Sequence, residues 1–370
     1  MERADGTGLL LLNLGTPSGT ETSDLRRYLR QFLFDPRVVD IPALPRWLVL
    51  NLFILPRRPA KSAALYKKIW TDRGSPLLFH TVDLTRKVQE RLGPEVVVDF
   101  AMRYGEPSIE AALERMIARG LERIVLFPLY PQYASATTGS TLDAIYGWAA
   151  KRWNVPNLQV VPPFYDHPAF LDAFAEVARP HLEGFDAERV YFSFHGLPER
   201  QIFKGDPSGT HCLKREDCCE SIGRVNGNCY RAQCVATARA LGERLGIPEA
   251  NRRICFQSRL GKQPWIGPAT DALLKQEAAA GCKRAAMLSP AFVADCLETL
   301  EELGMQAAET WRENGGETLR LIPCPNADDA WAEAVVTIAQ DAVGPLYRGA
   351  QAGRKRDGQV AGRDSARSGS

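Results

Sequence analysis

NVPNLQVVPPFYDHP, residues 154–168, carries four prolines and divides the chain in two. Before it lie the apolar runs LLLLNLG (9–15), VVVDFAMR (96–103) and RIVLFPLY (123–130). After it lie RVYFSFHG (189–196), RICFQS (253–258), RAAMLSP (284–290) and LRLIPC (319–324). Segments of helical period separate these runs, among them SIEAALERMIARG (108–120) and CVATARALGERLG (234–246). Strands alternating with helices predict parallel sheets built from βαβ units. Several strands are continuously apolar, as expected where helices cover both faces of a sheet. The predicted fold class is α/β, with two similar Rossmann-like, doubly wound lobes and a cleft between them. The lobes are expected over 1–155 and 165–345, followed by a disordered basic tail over 346–370.

Length and composition agree with this reading. A chain of 370 residues is long enough for two cores. Its 45% hydrophobic and 24% charged residues are those of a soluble globular protein. The net charge is +2, and the segment from Arg348 onward, with six basic and two acidic residues, contributes more than all of it. The body is therefore close to neutral, which argues against nucleic acid as a partner. MERADGTG leads straight into the first strand without a cleavage-like region, so a cytoplasmic protein is expected. WLVLNLFIL (47–55), bounded by Pro45 and Pro56, is far short of the ~20 apolar residues of a spanning helix. It suits peripheral contact with a membrane.

Doubly wound sheets bind ligands beyond the carboxyl ends of their strands. Asn13, Gly15, Arg103, Tyr104, Tyr130, His195 and Ser258 are expected there, together with the acidic run SPAFVADCLETLEE (289–302). No GxGxxG or GxxxxGK[ST] loop accompanies them, which argues against nucleotide binding. On a helix, Asp295, Glu298 and Glu302 would stand at i, i+3 and i+7 on one face. A line of hard oxygen ligands suits a divalent cation or a proton path, although a solvated acidic face has the same pattern. His195, at a strand end, fits a metal ligand, a proton acceptor or a satisfied core histidine. YPQYASATTGS (130–140), with Ser135 and Thr138, reads as a hydroxyl-rich loop entering a helix N-terminus, either binding an anion or capping the helix.

Five of the nine cysteines fall within residues 212–234, spaced C-x5-C-C-x9-C-x4-C. In a cytosolic chain such density argues for metal or Fe–S ligation over disulfides. A structural zinc site is the less typical option for this spacing. Cys255, Cys282 and Cys324 sit in apolar runs and read as small core residues.

A series of ordered motifs gives a resemblance. NLGTP (13–17), LFDPRVVDIP (33–42), RRPAKSAALYKKIW with GSPL (57–77), MRYGEPSI (102–109), YPQYASATTGSTLDAIY (130–146), FHGLP (194–198), FQSRLGKQPWIGPATD (256–271) and FVADCLETLEEL (292–303) resemble the ferrochelatases, from about residue 8 to 340. The resemblance implies a lyase of haem synthesis that inserts Fe²⁺, its substrate metal, into protoporphyrin IX. Coproporphyrin or another tetrapyrrole remains an alternative substrate, and a non-catalytic Fe–S or metal carrier an alternative of another class. By resemblance, His195 and Glu298 are the catalytic pair, and Asp295 and Glu302 continue an iron path. Asn13, Arg103, Tyr104, Tyr130, Ser135 and Thr138 line the porphyrin site. The run 47–55 with Arg57 and Arg58 resembles the pocket lip. Cys296 stands where some relatives have histidine, and Gln306 where some extend the acidic line. Some ferrochelatases carry a [2Fe–2S] cluster, which takes four thiolates. The expected ligands are Cys212, Cys219, Cys229 and Cys234, with Cys218 as the alternative to Cys219. The state is monomer or homodimer.

Overall fold

The computed structural model describes residues 6–259, 261 and 263–346. The basic tail expected at 346–370 thus lies outside the described residues from 347 onward. Strand β1 (Thr7–Gly15) is followed by helices α1 (Thr22–Leu33), α2 (Ala43–Val49), α3 (Arg58–Ile69) and α4 (Pro76–Leu92) before β2 (Val96–Tyr104). Helix α5 (Ile109–Ala118), β3 (Arg123–Pro128), α6 (Ser140–Ala149) and β4 (Asn157–Val160) complete the first half. The second half runs α7 (Pro168–Leu182), β5 (Arg189–His195), α8 (Glu199–Lys204), α9 (Tyr230–Arg244), β6 (Arg252–Gln257), α10 (Thr270–Ala279), β7 (Arg284–Leu288), α11 (Ala307–Glu313), β8 (Thr318–Leu321) and α12 (Asp329–Val343).

Among the described residues the strands form two parallel four-stranded sheets, ordered β2-β1-β3-β4 and β6-β5-β7-β8. The two orders are the same pattern repeated, as the similar strand spacing predicts. Central strand β1 is apolar throughout, and Leu9, Leu10, Leu11 and Leu12 are completely buried. Strand β4 was read as part of the divider. Its four residues lie between Pro156 and Pro162, at the sheet edge, where prolines do not interrupt a ladder.

Helix α1 shows how local pattern becomes packing. Leu25, Tyr28, Leu29 and Leu33 recur at helical spacing and are its buried face, while its arginines stay in water. Helix α5 is capped by the Ser108 hydroxyl, which accepts from the Ala111 N–H, and α12 by Asp328, which accepts from Ala330. The apolar run 47–55 breaks into two pieces, the end of α2 and a π-helical turn, Leu50–Ile54. No helix among the described residues is long and apolar enough to cross a membrane.

The largest apolar cluster is shared by both halves, joining Leu9 and Leu11 of β1 to Phe192 and Phe194 of β5. Phe164, from the proline-rich divider, packs at 5.4 Å from Phe127 of β3 and 5.9 Å from Trp331 of α12. The chain's last described helix therefore leans on the first sheet, and Arg91 and Lys87 of α4 pair with Asp329 at its start.

The strand ends approach one another closely. Gly15 has φ +110°, and a Cβ there would lie 1.7 Å from the Tyr104 carbonyl oxygen. Gly15→Ala is expected to destabilise the fold by about 2–4 kcal/mol, combining backbone strain with that clash. Urea unfolding of the two chains measures it, and an unchanged midpoint would contradict the close packing of β1 on β2.

Candidate active site

Neighbouring strands β5 and β7 mark the point where the second sheet reverses its winding. His195 ends β5, and the acidic run follows β7. His195 is half-buried, and its Nδ1 lies 2.7 Å from the Gly196 carbonyl oxygen. A carbonyl only accepts, so in the neutral ring Nδ1 holds the proton and Nε2 is left as a base. A Cβ at Gly196 would sit 2.7 Å from the Gln257 carbonyl, which keeps this corner tight. Tyr230, at the start of α9, is buried, and burial pushes its hydroxyl well up.

The acidic run is not the single helical row its spacing suggested. Asp295 precedes the helix, which begins with a π-helical segment, Glu298–Gln306. Its carboxylate accepts from Asn326 Nδ2 (2.7 Å), Thr299 Oγ1 (3.0 Å) and the Cys324 N–H (3.3 Å). Asp295 is buried and braces this loop. An i, i+3, i+7 row needs an α-helix already formed at Asp295, whereas the chain enters its helix later and with i→i+5 bonding. Cys296 is also buried. Burial pushes its thiol well up, and the charge of Glu298 adds to this, so it is held as a neutral thiol.

Glu298 and Glu302 remain as the cleft pair. Ser258 donates its N–H to Glu302 Oε1 at 2.8 Å and its hydroxyl to Oε2 at 2.5 Å. Ser258 does so from φ +65°, a conformation seldom taken by a residue other than glycine. Burial pushes the Glu302 carboxyl above its ordinary range, opposed by the Ser258 bonds and the charge of His195 and assisted by Glu298. Glu302 thus feels both members of the expected catalytic pair. Glu298 in turn faces the first half of the chain, where its charge acts on Tyr28, Tyr66 and Arg58. Both tyrosine hydroxyls are pushed well up, first by burial, and Tyr28 donates to the Gly15 carbonyl at 3.2 Å.

The residues expected to line the substrate site are gathered around this wall, several of them facing inward. Asn13 is buried and donates to Thr81 at 3.0 Å. Tyr104, expected to flank a macrocycle, has no exposed surface, and its hydroxyl donates to Asp35 at 2.8 Å. Arg103 reaches the same carboxylate at 2.7 Å and Ser140 Oγ at 2.7 Å, and Ser140 donates to Asp35 as well. Tyr130 is buried with its hydroxyl 3.4 Å from Thr141. Ser135 accepts from Arg37 at 3.2 Å, and the Thr138 hydroxyl is buried without a hydrogen-bond partner. The loop they occupy is itself a π-helical turn, Ser135–Gly139, running into α6.

Beside the cleft, Leu44, Trp47, Leu52 and Phe53 are exposed on α2 and the turn after it. Leu50, in the same apolar run, is completely buried.

The cysteine-rich segment joins α8 to α9. Asp206 organises it by accepting from the amides of Ser208, His211 and Cys212, and buried Asn226 donates to the carbonyls of Cys218 and Ser221. All five thiols are buried. Cys218 and Cys219 Sγ are 3.7 Å apart, and Arg231 Nη1 donates to Cys219 at 3.1 Å. The thiols are neighbours without being closed around one point. Among the described residues no group of three or more His, Cys, Asp or Glu side chains is arranged to hold a metal ion.

A family model described as Ferrochelatase matches residues 6–343. The chain belongs to the ferrochelatase family. It is 48% identical over 341 residues to the ferrochelatase of Pseudomonas fluorescens (strain Pf0-1), covering 90% of this chain and 97% of that one. It is 47% identical over 342 residues to that of Ectopseudomonas mendocina (strain ymp), with the same coverage. A solved structure, SirB from Bacillus subtilis with Fe3+, superposes with a TM-score of 0.51 at 12% identity, over 91% of this chain and 96% of that one, which shows the shared fold. As a ferrochelatase, the chain is a metal-chelating enzyme of haem synthesis, inserting Fe²⁺ into protoporphyrin.

Ser258 was expected at these strand ends from sequence, whereas buried Tyr28, Tyr66 and Asp35, which stand behind the site, were not. Asp35 lies in the LFDPRVVDIP motif, and its carboxylate joins three separate segments. Burial opposes its ionisation, but bonds from Ser140, the Arg37 amide and Tyr104, with the Arg103 charge, hold it below the usual carboxylate range. Its stabilisation is complete above the unfolded value near ~3.9 and is lost as pH falls through the lower folded value. Asp35→Asn is expected to cost about 2–4 kcal/mol at neutral pH, and less as acid protonates the parent, as measured by urea unfolding at several pH values.

Proposed function

We propose that His195 and Glu298, both beyond the strand ends of the second sheet, carry out the insertion, as a lyase acting on protoporphyrin IX in the cytoplasm. Insertion exchanges two pyrrole N–H protons for one Fe²⁺ bound by four ring nitrogens. The observation that carries the reading is the orientation of His195, whose Nδ1–H is committed to the Gly196 carbonyl. Nε2 is therefore the atom that accepts a pyrrole proton. Glu302 lies within the field of His195 and has a raised carboxyl, so it takes the proton onward from the imidazole. Glu298, facing Arg58 and the buried tyrosines, supplies the carboxylate that draws Fe²⁺ towards the ring centre. A rigid pocket also bends the ring at about 1–5 kcal/mol, offset by binding its periphery.

His195→Ala is expected to lower kcat by roughly 10²–10⁴-fold, the usual worth of a positioned proton acceptor. Loss of protoporphyrin fluorescence with Fe²⁺ under anaerobic conditions measures it. A variant with parental kcat would refute the assignment.

The thiols fit a [2Fe–2S] cluster in donor chemistry, and as arranged here they would have to close further to ligate it. Cys212, Cys219 and Cys229 would hold it, with Cys218 as the fourth ligand, because its thiol lies 3.7 Å from that of Cys219. The cluster would cross-link a segment otherwise built from turns. Cys218→Ser is expected to remove the visible cluster absorbance, and Cys234→Ser to keep it. The reverse result would restore Cys234 to the ligand set.

The apolar lip is read as the face through which porphyrin enters and as a peripheral membrane contact, with the exposed Arg57 beside it for anionic headgroups. Leu52→Asp with Phe53→Asp is expected to lower the fraction floating with anionic liposomes while leaving the fold intact, since both side chains are exposed. Leu50 is unsuitable for this test because it is buried.

A further inference from the structure

Lys68 and Glu301 belong to no part of the chemistry described so far. Glu301 is 1% exposed, although it is a carboxylate flanked by cleft residues at positions 298 and 302. Its Oε1 accepts from Lys68 Nζ at 2.8 Å, and its Oε2 from Gln306 Nε2 at 2.5 Å. Lys68 comes from α3 in the first half, and its side chain is half exposed, so the cation is hydrated while the anion is buried.

The same two elements meet through apolar groups. Leu297 and Leu300 pack against Ala63, Tyr66 and Ile69 of α3. Such contact fixes how deeply the π-helical segment sits. It does not fix rotation, because apolar packing is non-directional. A charge-assisted hydrogen bond to a buried carboxylate is directional, and a buried anion deprived of its cation is strongly unfavourable. Glu301 stands three residues after Glu298 and one before Glu302, so a turn of the segment about its axis would move both.

We propose that Lys68 is a positioning residue for iron insertion. By gripping Glu301 where α3 packs on the π-helical segment, it sets the rotation of that segment and so aims Glu298, while Ser258 holds Glu302. The inference rests on the reading that His195 and Glu298 perform the insertion.

The test compares Lys68→Met, Lys68→Arg and Glu298→Gln in the full chain, measuring kcat and the protoporphyrin KM with Fe²⁺, and Tm alongside. Lys68→Met is expected to lower kcat by ~10–100-fold with KM changed less than about twofold, since misplacement of about 1 Å costs this much without weakening binding. Lys68→Arg, which keeps the charged grip, is expected to recover kcat to within about threefold. A purely structural pair would lower Tm and leave kcat of the folded enzyme alone. Parental kcat in Lys68→Met, or equal losses in Met and Arg variants, overturns the proposal. Should Lys68→Met fail to fold, Lys68→Met with Glu301→Gln removes the stranded charge and is judged by the same loss of kcat. A fully active Glu298→Gln removes the underlying reading and the inference with it. An inactive Glu298→Gln beside an active Lys68→Met overturns the inference alone.

Discussion

Two carboxylates share a partly dry cleft with one imidazole, and the surroundings must make that tolerable. Like charges so placed repel, and burial adds to the cost of ionising Glu302. The chain meets the cost at Glu302 with two hydrogen bonds from Ser258 and the nearby His195 ring. At Glu298 the opposing Arg58 is the compensating charge. The left-handed backbone of Ser258 makes sense in this light, since it brings N–H and hydroxyl to the same carboxylate. Strain in a short loop is accepted where a functional anion needs two donors at once.

The double-sheet architecture makes such a cleft available. Each sheet opens at its switch point, β1/β3 in the first half and β5/β7 in the second, and the strand ends deliver short polar segments into the gap. The halves are held by a common apolar core rather than by a hinge alone. Trp331 and Phe164 bridge the sheets, so the two walls are parts of one packed body. Mobility is then expected in the lip and loops before it is expected in the walls.

A second theme is the use of buried polar residues as fasteners. Asp35 ties Arg103, Tyr104 and Ser140 behind one wall, Asp295 ties Asn326 and Thr299 behind the other, and Asp206 and Asn226 order the cysteine-rich loop. In each case one carboxylate or amide satisfies several donors or acceptors, from distant segments at Asp35 and within one loop at Asp206 and Asn226. Buried polar groups are unfavourable unless paired, so a fully paired one specifies geometry strongly. Gln233 does the same between α9 and the hydroxyl loop, accepting from the Tyr133 N–H at 2.6 Å and donating to Gly227 at 2.7 Å.

Hydrophobic periodicity is a local property, and it determined the parallel α/β class, the repeated halves and most strands, because each buried strand must be apolar along its own length. The motifs around His195 and the acidic run were equally legible, since the chemistry demands particular residue types near particular strand ends. Strand β4 escaped because its flanking prolines resemble a linker unless its place at a sheet edge is known. Asp295 parted from Glu298 because side-chain direction depends on where a helix begins and on its π form, neither of which spacing encodes. Ser258, Tyr66 and Lys68 became neighbours of the acidic run only through packing between segments far apart in the chain. Which thiols touch was decided in the same way, by how Asp206 and Asn226 fold a loop without regular structure. Residue type and period are written along the chain, while which faces meet depends on the simultaneous packing of all its elements.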